Sequence, residues 1–254
     1  MNSKRADCSI LGEIVKDLAH FPILDYTSAE TQECSMALPD NFHVLSETPF
    51  QRVLMSRLRD IVTDSTVFRA ATLHLGRMLA MQAVGEMPVV STVEVQTPLE
   101  ITTGHFFVGT SSLVPILRAG LALEEPFLEL LPRSKVWHLG VSRDHETLRP
   151  RPYSCAVPDR IAEDDFGERV CFVLDPMLAT GGSAEYAVRL LKERGAKKIV
   201  FVGIVGAPEG VRFLHERHPD VPIHLAQLDR CLNEKGYILP GLGDFGDRWT
   251  NSGP

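Results

Sequence analysis

Five strand-length apolar runs, near residues 113–117, 135–141, 170–174, 199–205 and 223–228, fill the second half of the chain, with helical stretches near 119–131, 183–194 and 208–217 among them. Three of them, at 113–117, 170–174 and 199–205, contain no polar residue, and none of the five alternates strictly with polar residues. A strand buried on both faces reads this way, and strands joined through helices pair in parallel, because each helix carries the chain back to the same edge. The rhythm predicts an α/β fold with a parallel sheet covered on both faces. Sheets of this kind hold ligands at the carboxyl ends of their strands, so the residues just after each run are the first candidates for chemistry.

The first half is organised differently. Residues 1–41 mix short apolar pieces with Asp, Glu, Ser and Thr, end at Pro39-Asp40-Asn41, and read as an extension of unknown role before a domain spanning 42–254. From Thr48-Pro49, Phe50, Leu54, Leu58 and Ile61 recur at helical spacing. Asp64 or Ser65 suits the cap of a second helix with Phe68, Ala71, Leu75, Leu79 and Gln82 along one face, stopped by Pro88. Val90, Thr92, Glu94 and Gln96 alternate as in a half-exposed strand. From Asp229 the chain is rich in Gly, Pro and Asp without a regular period, a tail long enough to have a function or to be disordered.

Composition narrows the function classes. The 254 residues suit one domain with appendages, and a formal net charge of −7 gives no positive field for nucleic acid. The apolar runs fall far short of the roughly 20 residues of a membrane span. Asp7, Glu13 and Asp17 disfavour a secretory or transit signal, so the expected compartment is the cytoplasm. Cys8, Cys34, Cys155, Cys171 and Cys231 are odd in number and widely spaced, and read as reduced thiols. His215 and His218 lie three apart with no third ligand near in sequence, and Ser142, Ser154 and Ser183 lack the G-x-S-x-G elbow.

The strongest chemical signal follows the run at 170–174. Asp175-Pro176-Met177-Leu178-Ala179-Thr180-Gly181-Gly182-Ser183 leads from that strand into a helix through Arg194. The Thr-Gly-Gly-Ser end has little side-chain bulk, so backbone N–H groups can approach an anion, and the helix adds its unpaired N–H groups and positive dipole end. Asp175 at the strand tip can accept hydrogen bonds from vicinal sugar hydroxyls. The alternative is a tight strand-to-helix turn with Ser183 as its cap. A Walker loop is excluded, because Lys before Ser is missing. Arg118 follows another apolar run, where a cation is expensive unless an anion meets it. Arg143 lies in Ser142–Pro158, which contains Pro150, Pro152 and Pro158 and reads as an irregular flap able to exclude water. Gly241–Gly246 satisfies G-x-G-x-x-G, but Pro240 precedes it and eight residues follow, so no βαβ unit fits.

The nine-residue loop closely resembles the phosphoribosyl diphosphate loop of uracil phosphoribosyltransferases. Val114–Leu121, Arg143–Leu148, Ala207–Gly210 and the tail from Leu232 to Arg248 agree with the same family in order, so the resemblance covers roughly residues 47–248. It implies a type I phosphoribosyltransferase core with N-terminal helices, a flexible flap at about 142–160 and a C-terminal hood at about 229–254. It further implies transfer of ribose 5-phosphate from phosphoribosyl diphosphate to uracil, giving UMP and diphosphate, with Mg²⁺ carried mainly by the diphosphate. On this resemblance the donor is held by Arg118, Arg143, Asp244 and the loop residues Asp175, Pro176, Met177, Leu178, Ala179, Thr180, Gly181, Gly182 and Ser183. Asp175, Arg118, Arg143 and Asp244 carry the catalytic roles, while Ile238, Gly243, Asp244 and Phe245 hold uracil, largely by main-chain contacts. Family members are commonly dimers or tetramers, and some respond to GTP. The family ends with Phe-Gly-Thr shortly after Asp-Arg, whereas this chain continues Trp249–Pro254. The other reading is a catalytically weak phosphoribosyltransferase-like regulator that binds nucleotide.

Overall fold

The computed structural model describes residues 38–87, 91–143, 150–161 and 169–252. Most of the extension at 1–41, Cys8 and Cys34, Pro88, Val90, the segment Asp144–Leu148 and the side chain of Arg143 lie outside the described residues.

A turn closed by Phe42 N–H on Pro39 O leads into strand β1 (Phe42–Val44). Helix α1 (Pro49–Arg59) begins as its sequence predicts: Thr48 Oγ1 accepts Gln51 N–H at 3.1 Å, and Pro49 occupies a first-turn position that needs no N–H. Its buried face is Gln51, Leu54, Met55 and Leu58. The predicted face fails at its ends: Phe50 is exposed, and Ile61 lies past the extended Asp60 that stops the helix. Helix α2 (Ser65–Ala83) is capped by Asp64, whose Oδ1 accepts the N–H groups of Thr66 and Val67 at 2.8 and 3.0 Å. Phe68, Ala71, Leu75 and Leu79 are fully buried along it, as predicted, and Gln82 is half-buried. A short 3₁₀ turn, Val84–Glu86, follows.

Strands β2 (Ser91–Gln96) and β3 (Ile101–Phe106) form an antiparallel ribbon outside the main sheet. The expected half-exposed strand is exposed on both faces instead, since among its described side chains on β2 only Val95 is partly covered.

The apolar runs then form the main sheet with their crossover helices in chain order: β4 (Thr110–Leu117), α3 (Leu121–Leu130), β5 (Lys135–Val136), β6 (Leu139–Arg143), β7 (Pro150–Cys155), β8 (Arg169–Leu174), β9 (Met177–Leu178), α4 (Gly182–Glu193), β10 (Lys198–Gly206), α5 (Pro208–Arg217) and β11 (Ile223–Leu228). The order across the sheet is β1-β11-β10-β8-β4-β6-β7, with β5 beside β4 and β9 beside β10. All pairings are parallel except β6 with β7. That pairing corrects the irregular flap expected at 142–158. Residues 150–155 are an edge strand, where Pro150 and Pro152 interrupt no further ladder.

Alternate residues of each central strand enter opposite cores. Leu113, Phe172, Leu174, Val200 and Val202 pack with α1, α2 and α3. Val114, Ile116, Cys171, Val173 and Phe201 pack with α4 and α5. Burial on both faces explains why these runs carry no polar alternation. It also pushes the Cys171 thiol up to about 12, which leaves that cysteine unreactive.

The tail is more regular than its sequence suggested. A small antiparallel pair, β12 (Cys231–Leu232) with β13 (Ile238–Leu239), precedes a one-and-a-half-turn helix α6 (Phe245–Thr250). Elements this short leave no period to read.

Candidate active site

Parallel pairing brings the tips of β4, β6, β8, β10 and β11 to one edge of the sheet. Arg118, Arg143, Asp175, Ala207 and Asp229 stand at those tips. From β4 the chain crosses to β6 on one side, and from β8 it crosses to β10 on the other. The neighbouring tips of β4 and β8 therefore flank a topological switch point, the place where an open parallel sheet leaves a crevice.

The 175–183 loop is held firmly at its start. Pro176 O accepts the N–H groups of Ile204 and Val205 at 2.9 Å each. Met177 and Leu178 form β9 against Val205 and Gly206, and Leu178 O accepts Ala207 N–H at 3.0 Å. Gly181 then adopts φ +81°, and α4 starts at Gly182 without a side-chain cap. Ser183 lies inside the first turn of α4, so it does not supply the cap considered as the alternative. The first N–H groups of a twelve-residue helix are thus presented at the sheet edge without a capping side chain, the arrangement an anion satisfies.

Asp175 is half-buried, and its Oδ1 accepts Met177 N–H at 3.3 Å. Desolvation by the surrounding protein pushes its carboxyl up to about 7, and the single backbone hydrogen bond opposes this only weakly. An acid perturbed this strongly in a strand-edge crevice is a candidate functional position.

The segment Ala207–Gly210 braces the loop from behind. A methyl group on Gly210 would collide with the carbonyl oxygens of Ala179 and Leu178, and one on Gly181 would stand 3.0 Å from Gly210 O. Two glycines thus let α5 and the loop touch backbone to backbone. Glu209 Oε1 accepts Leu232 N–H at 3.0 Å, which ties the same segment to the tail.

Arg118 departs from expectation. Its side chain is 65% exposed, because β4 delivers it past the end of the sheet, and its Nη2 lies 4.0 Å from Asp247 Oδ1. It carries no burial cost and is free to reorient toward an anion. Behind it, Gly120 N–H donates to Ile116 O at 2.8 Å, and a methyl on Gly120 would strike Leu174 O on the neighbouring strand. The close turn after β4 holds the Arg118 and Asp175 segments side by side.

In the tail, Ile238 and Phe245 are buried, while Gly243 and Asp244 are exposed. Asp244 Oδ1 caps α6 by accepting Asp247 N–H at 2.9 Å, a structural task its sequence position did not suggest. Gly241 and Gly243 adopt φ of +64° and +80°, a backbone that favours glycine.

Three residues that position this tail escaped the sequence analysis. The Asp229 side chain is almost fully buried and receives a bidentate contact from Arg59, at 2.5 Å (Nη2 to Oδ1) and 2.9 Å (Nη1 to Oδ2). Asp229 Oδ2 also accepts Gly241 N–H at 2.9 Å, and Arg59 donates to Gly241 O at 2.8 Å. Arg248 donates to Leu58 O, to Leu242 O at 2.8 Å and to Asp60 O at 2.6 Å while lying over the Phe68 ring. It thereby satisfies carbonyls at the end of α1. Asp229 follows its apolar run as Asp175 follows another, so the strand-tip rule applied once more identifies it. Arg59 and Arg248 gave no such signal, because their partners are distant in sequence.

Residues 44–251 match the family model described as Uracil phosphoribosyltransferase. The chain is 47% identical over 210 residues to the uracil phosphoribosyltransferase of Roseiflexus sp. (strain RS-1), covering 83% of this chain and 98% of the relative. It is 43% identical to the protein of the same name from Caldanaerobacter subterraneus subsp. tengcongensis, covering 82% and 97%. Among solved structures it is similar to the AQ2163 protein from Aquifex aeolicus, with a TM-score of 0.73 at 34% identity over 83% of this chain and 98% of that one.

Proposed function

The chain belongs to the uracil phosphoribosyltransferase family, and from that membership we propose how its own residues transfer ribose 5-phosphate from phosphoribosyl diphosphate to uracil, giving UMP and diphosphate. The observation that carries the reading is the uncapped start of α4 beside the desolvated Asp175 at the switch point between β4 and β8.

The 5-phosphate sits on the N–H groups from Thr180 to Ser183 and fixes the sugar. Asp175 accepts hydrogen bonds from the two ribose hydroxyls. As diphosphate departs, positive charge develops on the sugar ring. A carboxylate held out of water attracts that charge more strongly than a solvated one. Arg118, exposed and only loosely paired with Asp247, turns to the departing diphosphate, joined by Arg143 from the end of β6. Mg²⁺ arrives with the diphosphate as part of the substrate. Asp244 meets the same diphosphate and Mg²⁺ from the hood. Uracil lies against Ile238 and Gly243–Phe245, where backbone N–H and C=O groups match its alternating donors and acceptors. Holding the two reactants in line supplies several kcal/mol of the acceleration. Ala179 brings no acid to the loop, so it is not the base that takes the uracil proton.

Residues 42–254 are taken as the phosphoribosyltransferase domain and 1–41 as an extension. The exposed apolar ribbon β2–β3 supports a homo-oligomer. No helix among the described residues is long and apolar enough to cross a membrane, and together with the acidic balance this favours the cytoplasm. GTP as an effector rests on the family resemblance alone, and no observation favours the regulator reading.

The test is incubation with phosphoribosyl diphosphate, Mg²⁺ and each nucleobase in turn, with and without GTP, following diphosphate release. UMP formed with uracil alone is the expected result. Release with another base and none with uracil overturns the substrate assignment, and no release with any base overturns catalysis.

A further inference from the structure

Far along the sheet from the loop, at its β1 edge, three side chains converge that the transfer reaction does not use. His43 on β1 and His224 on β11 are directly paired in register, so their rings share one face, with centroids 4.7 Å apart. Glu86, from the 3₁₀ turn after α2, points between them. Its Oε1 lies 3.4 Å from His224 Nε2 and 3.8 Å from His43 Nε2. One ligand atom from each residue falls within 4.8 Å of the others. Ligands around a tetrahedral zinc ion stand about 3.3–3.5 Å apart, so small rotations of His43 and Glu86 bring the three onto one ion.

His224 supplies the independent sign that something binds here. It is 3% exposed, and among the described residues neither of its ring nitrogens has a hydrogen-bond partner, despite the nearby carboxylate. A buried imidazole in a folded protein is ordinarily satisfied on both sides, and an orphaned one calls for an unseen water or ion. His43 and Glu86 are partly exposed and provide the route of entry.

We propose that His43, Glu86 and His224 form a binding site for one divalent transition-metal ion of the zinc type, with water completing the fourth position. Two imidazoles and one carboxylate suit zinc and its borderline neighbours and disfavour magnesium, which prefers an all-oxygen shell. The ion joins three elements: the three-residue edge strand β1, the penultimate position of the sheet at β11, and the end of α2. Because β1 follows the N-terminal extension, the site pins the point where the chain enters the sheet.

The full chain, stripped with a chelator and free of phosphoribosyl diphosphate, is titrated with Zn²⁺ alone by calorimetry and assayed for retained metal after desalting. One zinc per chain is expected, with a thermal midpoint raised by roughly 5–10 °C at a hundredfold excess over Kd. Mg²⁺ at the same concentration gives neither effect. Glu86→Gln and His224→Gln weaken zinc binding by at least about a hundredfold. His43→Ala does the same at a partly exposed position, so it keeps the test decisive where the buried His224 variant does not fold. No zinc taken up by the unmodified chain, or unaltered affinity in folded His43→Ala, overturns the proposal.

Discussion

At the scale of single residues, Asp175 combines a cost to the fold with a use in the site. Its carboxyl is raised from 3.8 to about 7 by desolvation. A group whose folded value lies above its unfolded one contributes fully below the unfolded value, and that contribution is lost as pH rises through the folded value. For Asp175 the loss develops between pH 3.8 and about 7 and is complete above it. The full cost in the free enzyme is at most about 4 kcal/mol. Asp175→Asn removes the charge and keeps the shape. Without substrates it should therefore melt several degrees above the parent near pH 8 and level with it near pH 4, as thermal melts across pH will read. Its turnover should fall by about a hundredfold or more, since the amide gives the positive sugar no countercharge. Near-normal turnover removes Asp175 from the ribose role, whatever the melts show. The residue was legible because a lone acid closes an apolar run, whereas its enclosure was not, since the covering groups come from other elements.

At the scale of elements, the phosphate loop and the hood are held by contacts of very different sequence range. The loop leans on α5 through Gly210, about thirty residues on, and that support is steric. Gly210→Ala drives a methyl into Ala179 O, which belongs to backbone already fixed by β9, so the loop must shift as a whole. We expect a stability loss of about 1–3 kcal/mol by denaturant titration. The donor KM should rise by about tenfold or more while uracil KM moves less. Equal rises in both would count against loop displacement. The hood leans on α1 through Arg59 and Asp229, 170 residues apart. Arg59→Met leaves the buried Asp229 carboxylate without its cation and Gly241 O without its donor. That should cost about 3 kcal/mol and raise uracil KM selectively, with Arg59→Lys recovering only part because a point charge cannot span both carboxylate oxygens. The loop and the strand that feeds it could be read from a continuous stretch of sequence. The hood could not: its residues were located only by resemblance, because an anchor at such separation leaves no local pattern.

For the whole molecule, the parallel sheet and its crossover helices were read correctly because burial on both faces writes itself into the unbroken apolar runs of β4, β8 and β10, while the run at 135–141 divides into β5 and β6. What escaped was at the margins. Strand β1 is three residues long, β7 carries two prolines, and the ribbon β2–β3 makes a strand pair outside the sheet. Each owes its place to a partner and not to its own composition. The ribbon poses the remaining question. Val93, Leu99, Ile101, Phe106 and Phe107 are exposed on or beside it, Leu99 to 93%. An isolated two-stranded ribbon is marginally stable, and Val93, Val95 and Phe106, which share one face of it, invite a covering partner. A second copy of this chain answers both, since a two-fold contact would cover the two ribbons at once. Light scattering on the purified chain should then give at least two copies per particle. Val93→Lys with Phe106→Lys places charges on that one face without touching the main core, so it should lower the mass to a single chain while far-ultraviolet circular dichroism stays unchanged. A monomeric parent, or an assembly indifferent to both lysines, would locate the contact elsewhere and leave the ribbon's apolar face without its explanation.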